Sequence, residues 1–298
     1  APQEKDRFDI AMSGKLEGIG ARLREDDGFI KVVDIIPGGA AWRQGDLEID
    51  DLIIEVAQGD KEPVNIVEWR SKDAVKLIRG KKDTEVRLTV NRADGSSAVI
   101  PIIRDIIIIE DTYSKSMLLE HKFVDHKIGY IYLSKFYHDF KNQGGRNSAD
   151  DIKNDLNKLN EADVDGLIFD LRNNGGGALD DVVKMGGFFI EDGPIVQVNG
   201  RNNRKRILSD DDSAIIFDKP VVFIVNQYSA SASEILASAM QDYKRAVIVG
   251  SEQTFGKGTV QRFINMDQFL TKSNKNLSPL GHLKLTIQKF YRINGIFY

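Results

Sequence analysis

Two kinds of hydrophobic pattern divide the chain. From Leu16 to about Ile109 the apolar residues come in short runs separated by glycine-bearing turns. Gly18-Ile19-Gly20-Ala21-Arg22-Leu23 leads to a turn at Asp26-Asp27-Gly28, and Phe29 to Val33 reads as the partner strand. A short segment with Ala40, Ala41 and Trp42 follows Pro37-Gly38-Gly39, and Asp51 to Val56 reads as a further strand. Lys72 to Arg79 has helical spacing and Glu85 to Val90 alternates, so the change of period at Gly80 marks an element boundary. The stretch predicts a small β-rich domain with two helices. Residues 1–15 are polar and lack a clear period, which predicts an N-terminal arm or the end of a preceding helix.

After residue 127 the grammar changes. Ile128 to Leu133, Asp165 to Arg172, Val221 to Val225 and Ala246 to Gly250 read as strands. Between them, Asp150 to Leu159 is helical with Ile152, Leu156 and Leu159 on one face, and a second helix runs through Ala178 to Met185. Ser231 to Tyr243 places Ile235, Leu236, Ala239, Met240 and Tyr243 on one stripe. Strands alternating with helices predict an α/β layer of mostly parallel strands.

Composition narrows the function classes. A chain of 298 residues suggests two domains, and 41% hydrophobic residues suffice for packed cores. The balance of 41 Lys+Arg against 45 Asp+Glu, with no basic block, argues against a nucleic-acid partner. The longest apolar runs, Ile106 to Ile109 and Val221 to Val225, are far short of the ~20 residues of a spanning helix. With no cysteine there is no thiol nucleophile, disulfide or thiolate metal site. The four histidines (His121, His126, His138, His282) show no metal-ligand spacing and read as surface or hydrogen-bonded residues, so no metal or organic cofactor is expected. The chain opens on Ala1-Pro2-Gln3 with no visible signal peptide, as expected of a processed or trimmed form.

In a parallel sheet the strand C-termini share one edge, where ligands bind. Three successive βα junctions bring a glycine run (Asn173 to Gly177), a serine cluster (Gln227 to Ser233) and a lysine between two glycines (Ser251 to Gly258) to that edge. A serine at such a junction sits at the positive end of a helix dipole, and the amide after it is half an oxyanion hole. Ser231 and Glu234 also have the Ser-x-x-Glu spacing of a capping box, an equally local reading. Lys257 is the available base: burial lowers a lysine's pKa from about 10.4, and the plain alternative is a solvated loop lysine. Gly175-Gly176-Gly177 offers the other oxyanion amide or an ordinary helix-opening turn.

These residues resemble the C-terminal processing peptidases, above all their tail-specific branch in Gram-negative bacteria. The resemblance is carried by Ser229 to Ile235, Met240-Gln241-Asp242-Tyr243, Thr254 to Gln261, Asp170 to Leu179, Leu16 to Ala21 and Thr286 to Arg292, in the family's order over nearly the whole chain. It implies an α/β protease core of parallel-type βα units (crotonase-like ββα layers) over 107–298 and an inserted β-rich PDZ domain over 16–106. It implies Ser231 as nucleophile, Lys257 as base and Gln261 as the residue orienting the amine, one turn beyond the lysine. The oxyanion amides would be those of Ala232 and of Gly176 or Gly177, with Arg172, Glu234, Asp242 and Thr254 in support and Asp242 anchoring the helix end. Gly18, Ile19, Gly20 and Ala21 would form a carboxylate nest, the substrate tail adding as a strand beside Gly20 to Leu23. The stretches Gly38 to Gly45 and Glu48 to Leu52 depart from common PDZ patterns. Family cores continue past Asn294-Gly295 into a Gly-Val-x-Pro-Asp segment and closing strands, so a cut chain is expected.

The resemblance further implies protein or peptide substrates with apolar C-termini, an adaptor lipoprotein as a partner class, and a periplasmic or envelope address. The leading expectation is a Ser–Lys endopeptidase acting through an acyl-enzyme. Two alternatives stand beside it: a tail-binding module or inactive homologue, against which the complete set of serine, lysine, glutamine and glycine loops argues, and a CoA-dependent hydratase or isomerase, whose glutamate-bearing site and lack of a PDZ domain fit less well.

Overall fold

The computed structural model describes residues 2–200, 205–210 and 212–297. It divides into two compact units. One is continuous, Lys15–Ile109; the other is built from Ala1–Gly14 and Glu110–Tyr298, so the first is inserted into the second in chain order.

The chain begins with α1 (Pro2–Ser13); beyond Ala1, which lies outside the described residues, the expected arm is thus helical. The inserted unit follows: β1 (Lys15–Gly18), β2 (Ala21–Asp26), β3 (Phe29–Ile35), α2 (Ala40–Gln44), β4 (Leu52–Gln58), β5 (Val64–Asn65), α3 (Ser71–Ile78), β6 (Glu85–Asn91), β7 (Ser97–Ile103) and β8 (Asp105–Ile108). Its main sheet has the order β2-β3-β4-β6-β7, with β5 on β4, so β2 is an edge strand. Alternating positions Val86, Leu88 and Val90 are fully buried, as the period of two requires. Incoming β1 and outgoing β8 pair antiparallel, Leu16 opposite Ile107, closing the unit where the chain enters and leaves.

Arg104 is 2% exposed in this unit and has no carboxylate partner among the described residues. Its guanidinium donates to the carbonyls of Ile78, Leu77 and Glu85, to Thr84 Oγ1 and to Gln58 Oε1, at 2.7 to 3.2 Å. It thereby caps the C-terminus of α3, where a cation is favoured by the dipole.

The second unit continues with β9 (Lys115–His121), β10 (Val124–Tyr132), α4 (Ser148–Glu161), β11 (Gly166–Asp170), α5 (Leu179–Gly187), β12 (Gly193–Gly200), β13 (Lys205–Asp210), β14 (Val221–Val225), α6 (Ala232–Asp242), β15 (Ala246–Gly250), β16 (Thr259–Asn265) and β17 (His282–Tyr291). Strands β10, β11, β14 and β15 form consecutive parallel pairs, and β9 joins β10 antiparallel. The predicted stripes face the core: Ile152, Leu156, Ile235, Leu236, Ala239 and Met240 are at most 1% exposed. Phe169 stacks on Phe223 at 5.0 Å between neighbouring parallel strands. The segment Thr286 to Arg292, matched by resemblance to a late strand of the protease core, falls largely in β17, which lies in a second, antiparallel sheet of order β13-β12-β17-β16 and buries Phe290 in the core of this unit. Sequence periodicity missed that sheet because β13, β16 and β17 are part-exposed and lack clean alternation.

Removing the Arg104 side chain would take the side-chain donor from the Ile78 carbonyl and leave those of Leu77 and Glu85 with one donor each, from Gln58 Nε2 and Gly59 N–H. Arg104→Ala is expected to destabilise the inserted unit by about 3 kcal/mol. Both tryptophans, Trp42 and Trp69, lie in that unit, so a denaturant titration followed by tryptophan fluorescence checks it. An unchanged midpoint would show that the guanidinium is dispensable.

Candidate active site

Strand β11 ends at Asp170, which is buried and has a lowered carboxyl pKa: burial pushes it up, but hydrogen bonds from Arg172 and Tyr130 outweigh this. The Arg172 guanidinium lies against both Asp170 oxygens at 2.6 to 3.0 Å and is half exposed. Arg172 therefore fixes the strand end from outside the cavity. The chain then turns through Asn173 to Gly177.

Asn174, fully buried, organises this turn, and sequence reasoning missed it. Its Nδ2 donates to the Leu133 carbonyl (2.8 Å), its Oδ1 accepts from Gly176 N–H (2.8 Å), and its carbonyl accepts from Ala230 N–H and Ser233 Oγ (2.9 Å each). The only local signal was an asparagine before a glycine run. The glycines are required by space. A Cβ on Gly176 (φ +93°) would lie 2.7 Å from the Ala230 carbonyl oxygen and from Ser231 Cβ; one on Gly177 would lie 2.0 Å from the Phe136 carbonyl oxygen. The glycine loop thus packs directly on the serine loop.

The three serines divide sharply. Ser229 and Ser233 are fully buried and donate to the carbonyls of Leu171 (2.8 Å) and Asn174 (2.9 Å). Ser231 alone lines a cavity, and it does so at φ +58°, ψ −112°, a strained conformation for a residue with a Cβ. It is the N-cap of α6, and the amide of Ala232 opens that helix. The capping-box spacing is realised together with this exposure: Glu234 Oε2 accepts from Ser231 N–H at 2.7 Å.

Glu234 also reaches the third loop. It is 3% exposed; besides Ser231 N–H it accepts from Lys257 N–H (3.1 Å), Gly256 N–H (2.5 Å) and Thr254 Oγ1 (2.8 Å). One carboxylate therefore fastens the serine loop to residues 254–257. This loop leads into strand β16, so the third junction is ββ and not the expected βα. Gln261 accordingly sits on β16, beyond a register shift after Val260, and not one helical turn from Lys257.

Ser231, Lys257, Gln261, Gly176, Gly177 and Ala232 all line one cavity of about 440 Å³. No hydrogen bond joins Ser231 to Lys257 among the described residues. The Lys257 pKa is lowered, first by burial and then by the nearby charge of Lys284, with Glu234 pulling the other way. Lys135 and Lys284 line the same cavity, as do Phe8 and Met12 of α1; none of these carried a sequence signal. Asp242 lies outside it, paired with Arg292 just past β17, which ties the end of α6 to the second sheet. None of the four histidines lines the cavity; His138 hydrogen-bonds Asp181 (2.9 Å) and His126 faces Asp165 (3.3 Å). No group of residues with metal-ligating geometry occurs among the described residues.

In the inserted unit, Gly20 has φ +78°, and its Cβ would meet Ile107 Cδ1 at 3.0 Å and Gly39 Cα at 3.2 Å. The carbonyls of Ile19 and Gly20 accept from Ala41 N–H (2.7 Å) and Ile36 N–H (2.8 Å), holding the turn before edge strand β2.

Comparison with known proteins agrees with this layout. Peptidase family S41 matches residues 127–297, and the PDZ domain family matches residues 8–91. The tail-specific protease of Haemophilus influenzae is 41% identical over 99% of this chain, and carboxy-terminal processing protease CtpA of Bacillus subtilis is 33% identical over 98%. The chain spans 41% and 56% of their respective lengths. In fold it is similar to a photosystem II D1 C-terminal processing protease, with a TM-score of 0.53 at 24% identity, covering all of this chain and 73% of that one. The chain belongs to peptidase family S41, the family of the carboxy-terminal processing proteases, and carries a PDZ domain.

Proposed function

We propose that the chain is the catalytic and tail-binding part of a serine endopeptidase that works through a Ser231–Lys257 dyad. The observation carrying this reading is the meeting, in one cavity, of a positive-φ serine at a helix N-terminus and a desolvated lysine, their loops clamped together by Glu234. Ser231 Oγ attacks the peptide carbonyl while Lys257 Nζ takes its proton. The oxyanion is received by the amides of Ala232 and Gly177, since Gly176 N–H is turned to Asn174 Oδ1. Lys257 then gives its proton to the departing amine. Water, deprotonated by the same lysine, releases the acyl group and returns the hydroxyl. Gln261, in the same cavity, would hold the amine in line.

Tail recognition belongs to the inserted unit. Its edge strand β2 has an unpaired side on which an extended peptide can add beside Gly20 to Leu23, with its carboxylate at the Gly18–Ala21 turn. A preference for apolar tails, an adaptor lipoprotein delivering substrates, an envelope address and crotonase-like layering of the core are part of the same proposal. No helix among the described residues is long and apolar enough to cross a membrane.

Ser231→Ala should abolish cleavage of a loosely folded protein with an apolar C-terminus while retaining tail binding; a gel time course that still shows cleavage would remove the nucleophile assignment. Lys257 must be neutral to act, so kcat/KM should rise with pH through its lowered pKa, and Lys284→Gln should move that rise to higher pH. The sign for stability is opposite to that for activity. A lysine lowered in the folded state costs stability below its folded pKa, and the cost fades as pH climbs to the unfolded 10.5. Lys257→Met should therefore be inactive and more stable at neutral pH, a combination that activity and thermal unfolding assays read together.

Glu234→Gln puts an NH₂ among four donors. It should cost about 2 kcal/mol of stability and at least about tenfold in kcat/KM; an unaltered rate would mean the loops hold their positions without it. Gly20→Val should weaken capture of an apolar tail peptide by at least about tenfold in a titration with Ser231→Ala protein. Unchanged binding would remove the carboxylate turn from the reading.

A further inference from the structure

Three lysines line the cavity, and only two have an evident employment there. Lys257 is the base of the reading above, and Lys284 is exposed, its ammonium 5.7 Å from the centre of the Phe263 ring. Lys135 is half-buried, and no ion pair or hydrogen bond reaches its ammonium among the described residues. Burial lowers its pKa with no charge nearby to oppose the effect. The oxygens of Glu234 accept from the serine and lysine loops, and none of their bonds goes to Lys135. A half-dehydrated ammonium without a partner is costly, and a carboxylate brought into the cavity would offset that cost.

The position is also held. Lys135 lies between Leu133, whose carbonyl accepts from Asn174 Nδ2 (2.8 Å), and Phe136, whose N–H donates to the Gly176 carbonyl (3.2 Å). The Phe136 carbonyl in turn accepts from Ala178 N–H (2.9 Å). Its backbone is thus part of the wall that carries Gly177.

Resting on the peptidase reading of Ser231, we propose that Lys135 is a specificity-determining residue: its ammonium receives a carboxylate of the bound peptide close to the bond that Ser231 attacks. The carboxylate is either an acidic side chain near that bond or the terminal carboxylate of a tail cut near its end.

The test uses a neutral parent peptide in which one residue, either Glu or Gln, is walked across the positions flanking the cleaved bond, each peptide made as C-terminal acid and amide. In the unaltered protein, kcat/KM for the acidic form at one position should exceed that of its neutral isostere by at least about tenfold. A Glu/Gln ratio assigns the carboxylate to a side chain; an acid/amide ratio assigns it to the terminus. The ratio should collapse toward one in Lys135→Met, persist in Lys135→Arg, and reverse in favour of a Lys-bearing peptide in Lys135→Glu. The same ratio should appear in Kd for Ser231→Ala protein, which reads the preference without cleavage. Ratios near one in the unaltered protein, or an equal preference in Lys135→Met, overturn the proposal. Cleavage persisting in Ser231→Ala would instead overturn the peptidase reading, leaving the Kd ratio to decide the role of Lys135.

Discussion

The cavity depends on one buried carboxylate. Glu234 is set by the first turn of α6, so its place in space follows from the helix, and its two oxygens gather four donors from two loops distant in sequence. Charge-assisted bonds of this kind are among the stronger ones in a protein. Without such a tie, the residues 251–258 would be a glycine-flanked loop free to carry Lys257 elsewhere. With it, the backbone of Lys257 is fixed relative to that of Ser231, and only the lysine side chain is left to move.

Around this tie the cavity stores features that a purely structural pocket would avoid. Ser231 holds a positive φ, Gly176 and Gly177 bring backbone within contact distance of neighbouring loops, and two lysines lose water with no carboxylate bonded to either ammonium among the described residues. Each of these costs stability, and the surrounding network of Asn174, Ser229 and Ser233 is what holds them in place. Strain and desolvation concentrated at one sheet edge, with rigid support beneath, is the expected physics of a site that must present a nucleophile and a neutral amine together.

The inserted unit solves a different problem. In the proposed function it leaves one strand edge unpaired for a peptide while keeping the rest of the sheet closed. The β1–β8 pairing seals the unit where the chain crosses it, and Arg104 fixes the end of α3 through bonds to the carbonyls of Leu77 and Ile78. The open edge at β2 is short and bears Arg22, Arg24, Glu25 and Asp26, charges of the kind that discourage pairing with other sheets.

How much of this was legible in the sequence follows from the range of the forces involved. Period-two and helical spacings act over a few residues, so the parallel strands, α4, α5 and α6, strands β2, β3, β4 and β6 of the inserted unit and the convergence of three loops could be read directly, and a family resemblance singled out Ser231, Lys257 and Gln261. The partners of those loops could not. That Ser229 and Ser233 are structural while Ser231 faces the cavity depends on carbonyls at Leu171 and Asn174, some sixty residues away in the chain. The strand after Gly258, the second sheet, the placing of Asp242 on Arg292 and the arrival of Lys135 beside Ser231 and Lys257 are likewise set by contacts with no local pattern. The sequence by itself determined the elements and the chemistry available at their ends; the tertiary structure decided which hydroxyl, which amide and which lysines meet, because burial and hydrogen-bond partnership are fixed only when distant segments pack.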